Sequence, residues 1–384
     1  MDAFINAVAS LNQKYRSEWN KNFLPTTAGV VGQWDVLARG GGNPPADALY
    51  NTGTNLLFQP VYDVTTNNSG IMHGGNVSPA YKSIINASAF TAAATVAPCV
   101  LVLVDMIGFY RLTTVTTTTA QSTTNTLMNF ATMTCGTNNI LTLASTGSNL
   151  ALNLLPYTRV QFTTSGTLPT GLSTATNYFV IKLTDSTISV ATSYANAVAG
   201  TVVSVTSGTG SGTHNLQTLL PRYTNGNGVQ SMMWNTNATP MGAATPNLSI
   251  GYTNSGQTAS RATPTVLPVG KTAAENGMIL YSGTGVGKYG PALPLQGGDS
   301  GIAQVDTITC ATSYVSGEFS VGLYVPLLTL PITTLGVASE RDLINQIPSL
   351  PRVYDGANLQ WFMYNGALTP VNSAIAGALE FAWL

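Results

Sequence analysis

The chain reads as a mainly β protein: a discontinuous main domain of β-sandwich or jelly-roll type, with an inserted small β-sandwich and an N-terminal helix. Three observations predict this. β-Branched and aromatic residues alternate with period two through most of the 384 residues. Gly, Asn and Pro clusters punctuate those runs at short intervals, as they do in sandwiches and barrels. One long stretch also loses nearly all its charge, which marks an insertion.

Along the chain, Phe4, Val8, Leu11, Tyr15 and Trp19 recur at spacings of four, three, four and four. That spacing predicts a helix over Ala3–Asn20 with one apolar stripe and Asp2 as its N-cap. Such a stripe must find a surface, either the chain's own main domain or a neighbouring subunit. Residues 1–24 are therefore set apart as a helical arm, and 25–125 form the first part of the main β-domain. The apolar run Ala92–Tyr110 is broken by Pro98, Asp105 and Gly108, so it predicts one or two buried strands and not a membrane span. Further strands are expected at Thr113–Thr119, Ile140–Ala144, Val160–Thr163, Tyr178–Leu183, Thr187–Ala191, Val202–Val205, Leu248–Tyr252 and Gly317–Val325.

Residues 126–217 carry only Arg159, Lys182, Asp185 and His214 as ionisable groups of the acidic, basic or imidazole type. They end in Ser207-Gly-Thr-Gly-Ser-Gly-Thr213, which predicts a flexible linker that includes the surroundings of His214. This segment is read as an inserted, Ig-like β-domain, with 218–384 completing the main β-domain. A second short helix is expected from Ser339 to Ile347, stopped by Pro348 and Pro351. The apolar end Ala378–Leu384 alternates like a strand, and Phe381 and Trp383 join Phe4, Val8, Leu11, Tyr15 and Trp19 as candidate contact residues between subunits.

Composition narrows the function. Charged residues are 8% of the chain, against roughly 25% in an ordinary soluble domain. Fourteen basic against fifteen acidic residues leave a net charge of −1, which disfavours nucleic-acid and membrane-surface binders. A Thr-rich, weakly charged surface suits a subunit held in an assembly, most simply a homo-oligomer. No secretory signal is expected at Met1-Asp2. Cys99, Cys135 and Cys310 form neither a disulfide framework nor a metal motif, and each is expected to pack as a small hydrophobe.

Two motifs invite chemistry. Gly297-Gly-Asp-Ser-Gly301 is similar to the nucleophile motif of chymotrypsin-like proteases, and His73, Asp105 and Ser300 stand in the matching order. His73 lies in a Gly-flanked turn, however, so the expectation is a tight turn in which Asp299 bonds its own backbone. Gly283-Thr-Gly-Val-Gly-Lys-Tyr-Gly290 is followed by Pro291 where a phosphate loop needs a helix, so it reads as a surface loop. The two histidines are far apart and the carboxylates scattered. No catalytic, cofactor-binding or metal-ligating residues are assigned, and no cofactor is expected. The five tryptophans, Trp19, Trp34, Trp234, Trp361 and Trp383, are expected in the core or at interfaces, not as a sugar platform.

Within the insertion, Leu168-Pro-Thr-Gly-Leu-Ser-Thr-Ala-Thr-Asn-Tyr-Phe-Val180 and Ser189-Val-Ala-Thr-Ser-Tyr-Ala-Asn-Ala197, continuing to Gly208-Thr-Gly-Ser-Gly-Thr-His214, resemble small β-modules that decorate surface proteins of tailed bacteriophages. More loosely, Pro221–Val229, Leu295–Ile302 and Pro351–Leu359 resemble tailed-phage virion structural proteins. The resemblance implies a non-enzymatic virion component whose partners are other virion proteins, the major capsid protein or copies of itself. The first expectation is an auxiliary or decoration protein on the head exterior. The alternatives are the major capsid protein, a tail, collar or fibre component, and a host-envelope hydrolase.

Overall fold

The computed structural model describes residues 6, 8–22, 31–46, 58–63, 70–93, 96–112, 121–122, 126–145, 156–184, 186–206, 208–235, 247–263, 267–268, 278–279, 291–310, 319–346, 349–367 and 373–384. The expected strand Thr113–Thr119 and the loop Gly283–Gly290 fall outside them. The chain is mainly β, 51% strand and 6% helix, and fits the β-sandwich class. Its described strands fall into four sheets.

The central sheet is built on two 14-residue strands, Cys99–Leu112 and Phe319–Ile332, paired antiparallel from Cys99↔Ile332 to Leu112↔Phe319. The apolar run seen in the sequence becomes the first of these, with Leu101, Leu103, Val104 and Ile107 fully buried. From Phe319–Ile332 the pairing passes through Gln230–Asn235, Met278–Ile279, Trp34–Val36 and Leu359–Asn365 and returns to Cys99–Leu112. The sheet thus curls on itself around Trp234, Trp361, Phe109 and Tyr324. A smaller sheet centred on Asn247–Asn254 and Ile302–Cys310 lies beside it and shares the same core through Ile250, Tyr252 and Val305.

A third sheet joins the two ends of the chain. Lys14–Asn22 pairs with Ala374–Trp383 from Lys14↔Ala382 to Asn22↔Ala374, and the latter pairs with Lys82–Thr91. This overturns the expected helix: residues 6, 8 and 9 are helical, but Asn12 turns the backbone at φ 52° and a strand follows. The physical reason is that a spacing of four belongs to both periodicities. Tyr15 and Trp19 share a helix face, yet they also share a strand face with Ser17 and Lys21. Ser17, Trp19 and Lys21 are buried, while Lys14, Arg16, Glu18 and Asn20 point out. Two polar residues on the inner face disguised the alternation. Lys21 is tolerated there because its ammonium donates to the carbonyls of Gly40, Pro44 and Pro45.

The second expected helix is divided, its first half a strand and its second half helical. Ser339–Asp342 pairs with Lys82–Thr91, and only Leu343–Gln346 is helical. Pairing with an available sheet edge outweighs the weak helix preference of so short a segment.

The fourth sheet lies wholly within 126–218: Thr126–Cys135, Leu141–Ser145, Arg159–Thr164, Asn177–Lys182, Thr187–Ala191, Gly208–Thr209 and His214–Thr218. It curls until Thr126–Cys135 and Leu141–Ser145 pair. It encloses its own cluster of Met133, Cys135, Val160, Phe162, Tyr178, Val180, Ile188, Val190 and Leu216. The predicted flexible linker is part of this sheet. Gly208 and Thr209 pair with Cys135 and Thr134, Thr167 bridges to Ser211, and His214 is fully buried opposite Phe130 and Thr164. Val202–Val205, expected as a strand, runs alongside as irregular backbone tied by Val203 N–H to Val190 and Val205 N–H to the Asn139 side chain.

Candidate functional site: a groove between two Pro-Arg loops

The motif that carries the resemblance in the inserted segment has a structural meaning at several positions. Ser193 caps the helix Tyr194–Val198 by accepting from Asn196 N–H, and Ala191 and Ala197 are buried beneath it. The Tyr178 hydroxyl accepts from Ser173 N–H, while Val180 fills the core. Gly171 adopts φ +107°, where a Cβ would lie 2.4 Å from the Ser204 carbonyl, so only glycine fits. The motif specifies the packing of a small β-module.

That module is fastened to the main domain by aromatic contact. Tyr194 stacks on Tyr62 at 5.1 Å with the rings 10° apart, and its hydroxyl donates to Asp63 at 3.2 Å. Arg159 adds a hydrogen bond to the Leu220 carbonyl, and its own N–H donates to the Tyr62 hydroxyl. Burial pushes the Tyr62 and Tyr194 hydroxyls well above the ordinary tyrosine value, so both stay neutral hydrogen-bonding groups.

The residues of the triad order are not assembled. His73 is buried and pairs through Nε2 with Asp63 at 2.8 Å, while its Nδ1 lies 3.0 Å from the Lys82 ammonium. Asp105 binds Arg222, and Ser300 Oγ lies 2.8 Å from Ser255 Oγ. Lys82 also donates to the carbonyls of His73 and Gly75, and burial holds its pKa down at about 8. The Gly297–Gly301 segment is a turn, with Gly298 at φ +90°. The Asp299 side chain does not bond its own backbone, however. It accepts from Tyr252, Asn254 and Arg261, and these donors, Arg261 first, bring its pKa down to about 2. Three strand-borne donors offered a better set than the turn itself.

The candidate contact residues divide in the same way. Trp19 is 2% exposed and packs on Trp361 at 5.3 Å, and Phe381 is fully buried 6.3 Å from Tyr15. Both belong to this chain's own core and are withdrawn as contacts with a partner. Val8, Tyr15 and Trp383 are half-buried, Leu11 is 60% exposed, and Phe4 lies outside the described residues. Trp34, Trp234 and Trp361 are buried as expected, and Cys99 and Cys135 are buried free thiols whose pKa burial raises.

The structure instead brings together the three main-domain stretches that resemble virion proteins. Pro221–Val229 and Pro351–Leu359 face each other across a groove of about 870 Å³, closed on a third side by Ser78–Tyr81. Leu295–Ile302 buttresses the first wall, with Gly228 N–H donating to the Ser300 carbonyl and Ile302 N–H to that of Val229. Tyr223 and Tyr354 meet edge to face at 4.7 Å. The two arginines of the paired Pro-Arg motifs have opposite fates. Arg222 is 3% exposed and donates to Asp105 twice and to the carbonyls of Val61, Met106 and Gly356, so its five N–H groups are all engaged. Arg352 is exposed, its guanidinium held between the rings of Tyr81 at 4.1 Å and Tyr354 at 4.2 Å. Sequence reading missed this platform because it looked for tryptophan. The available signal was the recurrence of Pro-Arg followed by tyrosine at Pro221 and Pro351.

Among the described residues no cluster of His, Cys, Asp and Glu is arranged to hold a metal ion, and no helix is long and apolar enough to cross a membrane. No family model, no curated protein and no solved structure matches the chain.

Proposed function

We propose that the chain is a structural, non-enzymatic component of a tailed-phage virion, an auxiliary or decoration subunit on the head exterior that contacts other virion proteins or copies of itself. The observation that carries the reading is the module at 126–218. It has its own curled sheet and its own core, and the motif by which it resembles phage surface modules falls on the residues that pack and cap it. A unit that closes its own core can be hung on a host domain without disturbing that domain's fold. The weakly charged chain supports the same reading, since such surfaces hold neighbours by area and backbone hydrogen bonds. With Trp19 and Phe381 committed to the interior, contacts with neighbours fall to exposed apolar residues such as Leu11 and Phe90, which is 43% exposed.

The test is cryo-EM of particles from a host expressing this chain. The expected result is density for the subunit on the outer surface of the head with the module projecting. Its absence from purified particles would overturn the proposal, and a continuous shell built from it would move it to the major capsid protein.

A further inference from the structure

We propose that the groove between Ser78–Tyr81, Pro221–Val229 and Pro351–Leu359 is a binding site for an uncharged oligosaccharide. This stands independently of the virion reading. The volume of about 870 Å³ falls within the roughly 300–1,000 Å³ of ligand sites.

The chemistry of the walls selects the ligand. Tyr81 is 60% exposed at the rim, and its ring and that of Tyr354 are fixed in place by the guanidinium between them. An aromatic face carries negative charge density and favours the weakly positive C–H bonds on one side of a pyranose ring. Around these rings stand Asn225, Asn227 and Asp355. Amides both donate and accept, and a carboxylate accepts only, which matches vicinal hydroxyls that do both. The polar groups are pre-positioned. Asp355 accepts from Val77 N–H at 3.0 Å, and Asn225 from Asn227 N–H at 3.1 Å. Less ordering entropy is then lost on binding.

Charge excludes the nearest competitors. Arg222 is neutralised by Asp105, which leaves Arg352 and Asp355 as one charge of each sign. A polyanion such as a nucleic acid needs several uncompensated cations. A proline-rich peptide also docks on aromatic grooves, but its backbone has few N–H donors and would leave the Asp355 carboxylate, which accepts from Val77 N–H, without a second one. A sugar hydroxyl supplies that donor.

The experiment applies the full-length chain to a printed array of defined neutral and acidic oligosaccharides and a proline-rich decapeptide, then measures Kd for the best neutral glycan by calorimetry. Binding to at least one neutral glycan is expected. Tyr81→Ala should weaken it roughly tenfold, and Tyr81→Trp should keep it within about threefold. Phe90→Ala, which removes an exposed ring elsewhere, should leave it unchanged. Tyr81 contributes to the fold through backbone bonds with Leu384, so its side chain can be changed in a folded protein. Binding to no neutral glycan, binding confined to acidic probes or the peptide, or a Kd indifferent to Tyr81→Ala would each overturn the proposal.

Discussion

The main domain and the inserted module solve the same problem, a β fold with few charges, in opposite ways. The main domain buries ions and surrounds several of them with partners. Arg222 and Asp105 form a pair whose side chains are 3% and 1% exposed, Lys21 and Lys82 sit among carbonyls, and Asp299 gathers three donors. The module buries almost no charge. Its core is aliphatic and aromatic, and its imidazole, His214, is fully enclosed with its pKa lowered by loss of solvent. A buried ion pair ties together segments far apart in sequence. Here it joins Cys99–Leu112 to the loop after the module, and the Asp105 carboxylate also accepts from Asn358 N–H. A small module folding around one cluster has no such segments to join.

The comparison can be broken most forcefully at the ion pair. All five tryptophans lie outside 126–218, so tryptophan fluorescence follows the main domain, while calorimetry sees both parts. Arg222→Ala leaves Asp105 charged, buried and short of donors, and should cost about 3–5 kcal/mol. The fluorescence transition should fall steeply in temperature or disappear, while a module transition persists. A variant with an unchanged fluorescence transition would show that the pair does not hold the main domain together.

The second effect is smaller and lies at the junction. Tyr194→Ala removes the stack on Tyr62 and the hydrogen bond to Asp63, worth about 1–3 kcal/mol together. Two calorimetric transitions should separate further, and hydrogen exchange should rise around Tyr62 with little change in the module core. Exchange that rises throughout the module instead would make Tyr194 part of that core and not a fastening.

The smallest effect is the pH dependence of the module. The imidazole of His214 is held neutral in the fold, below its ordinary pKa of 6.5. The unfolded chain therefore takes up a proton first as pH falls, and the module loses stability from about pH 6.5 downward until the lower folded-state pKa is reached. At neutral and alkaline pH that contribution is fully present. His214→Leu should flatten the module's transition between pH 6.5 and 5 without touching the fluorescence transition. Asp299, held at about 2, moves the main domain only in stronger acid, below about pH 4. A module that is no less stable at pH 5 than at pH 7 would place the protonated ring in a satisfied site.

How much of this was legible depends on the range of the interaction concerned. The buried strand in Ala92–Tyr110 was readable because an apolar run interrupted by Asp105 and Gly108 fits a sheet core and little else. The strand Thr187–Ala191 was legible to the residue from its alternation. The helix over Ala3–Asn20 failed because Ser17 and Lys21 hid a period of two behind a spacing of four, and only the carbonyls near Gly40 and Pro44 make Lys21 acceptable inside. The Gly-rich stretch before His214 read as a linker because glycine suits both a mobile chain and a close-packed strand. Of the groove, the sequence displayed both Pro-Arg motifs but no reason to join them.

By itself the sequence determined the β class, the low charge, and the segment that closes its own sheet and core. These follow from local alternation and composition, which act over a few residues and need no partner. Only the tertiary structure decided that Arg222 is a clamp while Arg352 is a platform, that His73 belongs to Asp63, and that Trp19 and Phe381 face inward. Each of those outcomes depends on which distant donor, acceptor or ring the folded chain brings within a few ångströms, and identical residue types carry no record of it.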